Sequence, residues 1–593
     1  MCGIVGYVGD GESTSILLDG LKRLEYRGYD SSGIAVLNNG DIMLEKAVGK
    51  LQNLVDIMND SDMSGKIGIG HTRWATHGGV TKSNAHPHLA SDSVVVVHNG
   101  IIENYQELRA ELQELGHEFQ SDTDSEVISH LGVELLKTID EPAALLKALL
   151  ARIEGAYALA ILVKAFDDCL LVARNASPLA IGIGDDASFV ASDAMAMSDL
   201  TRRVVYLKDG DYAVIRRDEV TIFDHNHVIV NREEVIVAAS PGLVHKGGYR
   251  HFMEKEIHEQ PDAIAHTLAA MTNEAGILSA GMDDDTLASV TGIVLLAAGT
   301  SHYAGLVGRY WIEKLANVPV SVEVASEYRY RSPVTSHLSH AIAISQSGES
   351  LDTLMAMRHA SEQGLSTMGL VNVDHSTIAR EADVILPTRA GPEIGVASTK
   401  AFTAQLTALL SLAIALGRVK GTISSEEAGK MHEDMKMLPS LIGKTLSLFD
   451  ELRPVANDLS RAHSCLFLGR DNLFPIAMEG ALKLKELSYI HAEGFAAGEM
   501  KHGPIALIED GLPVVSLLGS DGLSQKVISN LKEAQARGAK IILLAAEDSA
   551  DKVDFASFTC RLPNCNEWLM PFVLTVPTQI LAYLTAFEKG TDV

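Results

Sequence analysis

Apolar positions change rhythm near the middle of the chain. Through residues 1–239 they come in short runs, often rich in Val and Ile, at 4–8, 34–37, 66–70, 94–97, 159–163, 170–173 and 204–207. Glycine, asparagine and aspartate punctuate these runs, the pattern of short strands ending in turns. A 3.6-residue rhythm replaces them at 13–24, 102–115 and 123–136, predicting helices, the last with Asp122 or Thr123 as its cap. Strands in packets with few helices between them predict an α+β domain.

Residues 239–250 (Ala-Ser-Pro-Gly-Leu-Val-His-Lys-Gly-Gly-Tyr-Arg) hold three glycines and a proline, a loop composition that places the main boundary there. Beyond it helices dominate, and short apolar strands lead into small polar turns and another helix. The run 293–298 ends at Gly299, and 342–344 runs into Ser345-Gln346-Ser347-Gly348. The run 465–468 ends at Gly469 before a helix around 476–487, and 514–518 runs into Gly519-Ser520-Asp521-Gly522. Gly299 and Gly348 are 49 residues apart, Gly469 and Gly519 are 50, and the two units are offset by 170. The second half therefore reads as a duplicated, layered α/β unit with a parallel sheet. The expected organisation is one domain at 1–239, a linker at 240–250, and two subdomains at 251–430 and 431–593.

A length of 593 residues suits roughly three to five domains. The formal charge, 49 − 77 = −28, repels phosphate backbones and anionic lipid, so nucleic acid and membrane surfaces are excluded as partners. An anionic substrate would need local donors working against that field. Cys2, Cys169, Cys465, Cys560 and Cys565 are few, odd in number and not spaced as a zinc site, which favours a reducing compartment over a disulfide framework. The most apolar stretch, 408–416, is shorter than the ~18–20 residues of a membrane span and is interrupted by Ser411, so it reads as a buried helix. The N-terminus lacks the basic region of a signal peptide, and a cytoplasmic location is expected. No metal-ligand cluster and no nucleotide-binding glycine loop stands out, so no metal or cofactor is expected.

Candidate chemistry begins at Cys2. Removal of Met1 would leave its thiol beside a free α-amine of pKa ~7.7–8.0, a nucleophile and its base in one residue. A buried strand cysteine is the plainer alternative. In His71-Thr72-Arg73-Trp74-Ala75-Thr76-His77-Gly78, Arg73 suits a bidentate grip on an α-carboxylate, or a loop salt bridge. Asn99 and Gly100 could form an oxyanion hole, or an ordinary Asn-Gly turn. Asp124 could pair with an α-ammonium or cap a helix. Together these groups fit a zwitterionic amino acid with an acyl group to cleave, glutamine being the simplest.

Residues 2–9, Leu24-Glu25-Tyr26-Arg27-Gly28-Tyr29-Asp30-Ser31, 71–78 and 98–104 resemble the class II glutamine amidotransferases, and the later segments resemble the sugar isomerase (SIS) fold. The resemblance covers nearly the whole chain. It implies an N-terminal-nucleophile glutaminase sandwich followed by two SIS subdomains, which convert fructose 6-phosphate and glutamine to glucosamine 6-phosphate and glutamate in hexosamine biosynthesis. It assigns Cys2 the attack, Asn99 and Gly100 the oxyanion hole, Arg73, Thr76, His77 and Asp124 the glutamine, and Trp74 the gate of an ammonia channel. Such a passage has a physical reason, since ammonia in water is mostly ammonium and has no lone pair to attack with.

In the second half, Ser345-Gln346-Ser347-Gly348-Glu349-Ser350 joins a strand to a helix, where N–H groups and hydroxyls can cradle phosphate without net charge, or simply cap the helix. Glu479, Lys483 and Glu486 fall at i, i+4 and i+7 on one helical face, as a salt-bridge ladder or as acid–base groups. By the resemblance, Ser345, Gln346, Ser347 and Ser350 hold the sugar phosphate, and Thr300, Ser301 and the backbone near Val396 line the sugar. Glu486 moves the proton between C1 and C2, Lys483 is a further active-site group, and His502 opens the ring from the partner subunit of a homodimer. The familiar pattern has cysteine where Ala298 stands and often threonine where Ser350 stands. It also continues past Val593 into a lysine-bearing segment that contacts the sugar: either a tail follows Val593, or a chain truncated there is expected to be badly impaired in synthesis while glutamine hydrolysis survives. Related amidotransferases that feed a phosphoribosyl transferase or an asparagine synthetase need loops not found after residue 250. A non-catalytic sugar-phosphate sensor would release no glutamate, and a deglycase would leave the first 239 residues without a role.

Overall fold

The structure, a computed structural model, describes residues 2–593 apart from 26–27, 39, 59–62, 75–77, 238–245, 247, 521 and 592. Thr76, His77 and most of the segment 239–250 thus lie outside the described residues. The chain divides into two compact units, Met1–Val244 and His245–Val593.

The first unit is built on strands β1 (Gly3–Gly9), β2 (Ile67–Arg73) and β3 (Val94–Ile102) and helices α1 (Ser13–Leu24) and α2 (Glu126–Leu136). β1 and β2 sit inside an eight-stranded sheet ordered Glu234–Ile236, Arg203–Tyr206, Ala180–Ile183, Ala187–Ala191, β1, β2, Ser31–Asn38, Asp41–Val48. β3 belongs to a six-stranded antiparallel sheet next to Gly155–Val163. The two sheets stack. Ile4 and Val8 of β1 meet Val95 and Val97 of β3 in the core between them. The alternate residues Val5 and Tyr7 face outward and pack against Leu17, Leu21 and Leu24 of α1, while Val94 and Val96 pack against Val127, Ile128 and Leu131 of α2. Helices therefore cover both outer faces. A strand buried on both sides needs apolar residues at every position, which is why these strands read as continuous Val and Ile runs.

Two helix starts differ from the sequence expectation. The helix expected from residue 102 begins at Tyr105, because Ile102 still pairs with Gly155 in the sheet. The helix expected from residue 123 begins at Glu126 after Ser125, because residues 120–121 fold back onto the Glu126 carboxylate through the Gln120 and Ser121 N–H groups (both 2.8 Å). Neither Asp122 nor Thr123 caps it.

The second unit contains β4 (Ile293–Ala297), α3 (Gly299–Ala316), β5 (His340–Ser345), α4 (Leu351–Glu362), α5 (Lys400–Lys420), β6 (Ser464–Gly469), α6 (Phe474–Ser488) and α7 (Met570–Lys589). It holds two five-stranded parallel sheets of identical order. In each, the second strand lies at the edge, followed by the first, third, fourth and fifth. Spatial order confirms the duplication that the glycine spacing suggests. α5 and α7 are each long and apolar enough to cross a membrane by length and composition, yet 89% and 94% of their most apolar windows are buried inside the fold. Their apolar surface builds one core shared by both sheets, in which Trp311 of α3 stacks on Phe572 of α7 at 5.8 Å.

Candidate active sites

Register brings the N-terminus to its partners. Gly3 lies opposite Thr72 in the β1–β2 pairing, so Cys2 falls beside the Arg73–Trp74 turn. The Trp74 N–H donates to Cys2 Sγ at 3.3 Å, and the thiol lies 3.5 Å from the Trp74 carbonyl. Burial pushes the Cys2 thiol above its ordinary pKa, while the Trp74 backbone and the Arg73 charge pull it down. Asn99, near the end of β3, donates from Nδ2 to the Cys2 carbonyl at 3.1 Å. Gly100 has φ +135, and a Cβ there would come within 1.9 Å of the Ala156 carbonyl, so this position accepts only glycine. Asp124 is buried, accepting the Ile102 N–H at 2.8 Å and the Ser125 hydroxyl at 3.3 Å.

Arg73, only 3% exposed, donates to the carbonyls of Gly78 and Gly79 at 3.2 Å each. It closes its own loop while feeling the charges of Cys2, Asp30 and Asp124. Trp74 is 38% exposed and stands edge-on to Tyr29 at 5.4 Å. The structure thus gathers Cys2, Arg73, Asn99, Gly100 and Asp124, with Trp74 beside the thiol.

Sequence reasoning missed what lies beneath them. His71, His86, His88 and His98 are all buried. His71 stacks on His86 at 4.2 Å, and His86 meets His88 edge-on at 4.5 Å. Burial holds the His71 pKa down to about 3 and pushes those of His86 and His88 well below the ordinary value, so these rings are neutral at pH 7. Among the described residues, no set of three or more His, Cys, Asp or Glu is arranged to hold a metal ion. Five histidines within residues 71–98 were the available signal.

In the second unit, strand order reverses direction between β4 and β5, and ligands in such open α/β sheets sit beyond the carboxyl ends of the strands at that crevice. β5 ends at Ser345, whose hydroxyl accepts the Gly348 N–H at 3.0 Å and lies 3.2 Å from the Ser350 hydroxyl. Gly348 has φ +64, and a Cβ there would collide with the Ser376 hydroxyl at 1.9 Å. Ser347 Oγ accepts the Glu349 N–H at 3.2 Å, and the Gln346 carbonyl accepts the Asn372 N–H at 3.2 Å. Ser350 precedes α4 without a side-chain cap bond, so the N–H groups of the first turn open toward the same turn.

α3 starts beside it. Thr300 Oγ1 accepts Lys483 Nζ at 3.0 Å and donates to Glu479 at 3.3 Å, and Ser301 accepts the Gln405 amide at 2.9 Å. On α6, Lys483 lies between Glu479 (3.5 Å) and Glu486 (2.6 Å). Glu479 and Lys483 are buried, and Glu486 faces solvent. Burial drives the Glu479 carboxyl up to about 8 although Lys483 pulls it down, and the two carboxylates keep Lys483 charged against its own desolvation.

Val396 is 52% exposed on a loop that two further carboxylates hold. Glu256 accepts the Ile394 and Gly395 N–H groups (2.5 and 3.1 Å), and Glu393 accepts those of Thr399 and Ala401 (2.8 and 3.0 Å). Burial and the neighbouring Glu393 push Glu256 up to about 8. Neither was singled out in the sequence, since the loop that each holds comes near it only in the fold. His502 ends the short turn Ala497–His502 with its side chain exposed, and makes no hydrogen bond to the Lys483 group among the described residues.

Comparison with known proteins follows the same division. A glutamine amidotransferase domain model matches residues 71–199, and the SIS domain model matches twice, at 286–415 and 458–589. A glutamine–fructose-6-phosphate aminotransferase (isomerizing) of Zymomonas mobilis is 47% identical over all of this chain and 98% of its own length. The protein of that name from Mesorhizobium japonicum is 48% identical with the same coverage. The solved C-terminal domain of glucosamine-fructose-6-phosphate aminotransferase from Francisella tularensis is 42% identical, spans 59% of this chain and 99% of its own, and superposes with a TM-score of 0.58. With such identity along its full length, the chain belongs to the isomerizing glutamine–fructose-6-phosphate aminotransferase family.

Proposed function

We propose that this enzyme converts D-fructose 6-phosphate and L-glutamine to D-glucosamine 6-phosphate and L-glutamate, the entry into amino-sugar synthesis. The observation that carries the reading is the surroundings of the N-terminal thiol: the Asn99 amide beside the Gly100 turn reaches the Cys2 carbonyl, and the neighbouring Arg73 feels the charges of both Cys2 and Asp124. The α-amine of Cys2, freed by loss of Met1, takes the thiol proton, and the sulfur attacks the amide carbon. Asn99 Nδ2 and the Gly100 N–H stabilise the resulting oxyanion. Ammonia leaves with the returned proton, and water hydrolyses the thioester to glutamate. Arg73 and Asp124, with Thr76 and His77, hold the zwitterionic end of glutamine, and Trp74 gates the passage of ammonia.

At the second site Ser345, Gln346, Ser347 and Ser350 hold the phosphate, and Thr300, Ser301 and the Val396 loop line the sugar. Ammonia adds at C2 of the open chain and the C2 oxygen leaves as water, Glu486 carries the proton from C1 to C2, and Lys483 steadies the charge that develops on the C1 oxygen. Exposed His502 opens the ring in a second copy of the chain, so the working form is a homodimer. We place the domains at 1–239, 251–430 and 431–593, joined by the linker 240–250. Five free cysteines suit a reducing, cytoplasmic setting. The test is glutamine labelled with 15N at the amide in the presence of unlabelled ammonium. Retention of the label in glucosamine 6-phosphate supports delivery from one site to the other, and dilution to the bulk ratio refutes it.

A further inference from the structure

An asparagine amide can sit either way round, and only one way serves an oxyanion, with Nδ2 toward the sulfur. Two contacts select that way at Asn99. Nδ2 donates to the Cys2 carbonyl at 3.1 Å, and Oδ1 lies 3.0 Å from His71 Nε2. His71 Nε2 is also 3.1 Å from the His98 carbonyl, which can only accept, so the ring carries its proton on Nε2 and must meet an acceptor at Asn99. The ring itself cannot turn freely. It is 1% exposed, stacked 16° from parallel on His86, and His86 Nδ1 accepts the His98 N–H at 3.3 Å. The His98 ring in turn bonds Ser125 at 2.8 Å, whose hydroxyl reaches Asp124.

We propose that His71 is a positioning residue for glutamine hydrolysis: its Nε2–H, aligned by the His98 carbonyl, locks the Asn99 side chain with Nδ2 facing the oxyanion that forms beside Cys2. The inference rests on Asn99 being an oxyanion donor, and its test separates the two claims. A neutral ring buried in this way does not titrate in the working range, so His71 acts by direction alone.

The experiment compares His71→Leu, which removes the donor, with His71→Gln, whose amide nitrogen falls near the Nε2 position, and His71→Asn, which is too short. Asn99→Ala and the double variant complete the set. For His71→Leu and His71→Asn the glutaminase kcat is expected to fall about tenfold to a hundredfold, below the ~10²–10³ for losing the donor itself. KM for glutamine and the rate at which iodoacetamide alkylates Cys2 should stay within about twofold, since neither uses the oxyanion hole. His71→Gln should recover most of kcat with an unmoved pH profile. In the Asn99→Ala background, His71→Leu should cost less than about twofold more. If His71→Leu does not fold, the contrast of Gln with Asn still decides the matter. Wild-type kcat in His71→Leu or His71→Asn, additive losses in the double variant, slowed alkylation, or a shifted pH profile in His71→Gln would each overturn the proposal. Wild-type kcat in Asn99→Ala would instead refute the oxyanion reading beneath it.

Discussion

A thiol whose burial pushes its pKa upward is protonated at rest, so Cys2 needs a base at the moment of attack. If that base is its own α-amine, kcat/KM for glutamine should rise with pH through ~7.7–8.0 and then level. A flat profile from pH 6 to 9 would remove the amine from the account. Nearby, Glu126 makes a stability prediction. Burial works against its charge, but the His130 ring 3.5 Å away and hydrogen bonds from the Gln120 and Ser121 N–H groups and the Ser121 hydroxyl win and hold the carboxyl down to about 2. Its folded pKa lies below the unfolded value, so its contribution is present above about 4.5 and is lost as pH falls toward 2. Glu126→Gln should lower the urea midpoint at pH 7, and the difference from wild type should shrink in acid. An equal difference at pH 7 and pH 3 would contradict the assignment.

Elements explain which parts of the sites could be read in advance. Cys2, Asn99 and Gly100 were legible because each borders an apolar run, Cys2 just before 4–8 and Asn99 and Gly100 just after 94–97, where a strand delivers a residue to an edge. Glu479, Lys483 and Glu486 were legible as one helical face because α-helical spacing alone puts them together. The contact of Lys483 with Thr300 was not, since it depends on two helices 183 residues apart packing in a shared core. The buried histidines, among them His71 on β2 and His98 on β3, were missed despite their clustering, because polar residues inside a strand read as solvent-facing. On α6, the folded pKa of Glu479 lies near 8, above the unfolded value. Its contribution is therefore complete below about 4.5 and is lost as pH rises through 8. Glu479→Gln, always neutral, should flatten the fall in urea midpoint between pH 5 and pH 8.5, and an unchanged slope would mean the carboxyl is ionised throughout. Lys483→Ala removes the ammonium between Glu479 and Glu486 on one face of α6, and should abolish conversion of fructose 6-phosphate while glutaminase turnover continues. Parallel loss of both activities would point to misfolding of the element.

For the whole molecule, the proposed phosphate site answers an electrostatic problem by locality. The chain's net charge of −28 opposes an anionic sugar phosphate, yet the crevice at β5 offers backbone N–H groups, hydroxyls and the dipole of a twelve-residue helix rather than cations. Each unit also carries its own buried core, with β1–β3 and their helices in the first and α5 and α7 in the second. Residues 1–237 expressed alone should hydrolyse glutamine without aminating sugar, whereas residues 246–593 alone should bind fructose 6-phosphate and release no glutamate. Glutamate release by the second fragment would contradict the division of labour. The most direct measurement concerns the sulfur itself: glucosamine 6-phosphate formed by Cys2→Ala, supplied with fructose 6-phosphate and either glutamine or ammonium. No product is expected from glutamine and at most weak formation from ammonium; undiminished turnover with glutamine would overturn the role given to Cys2.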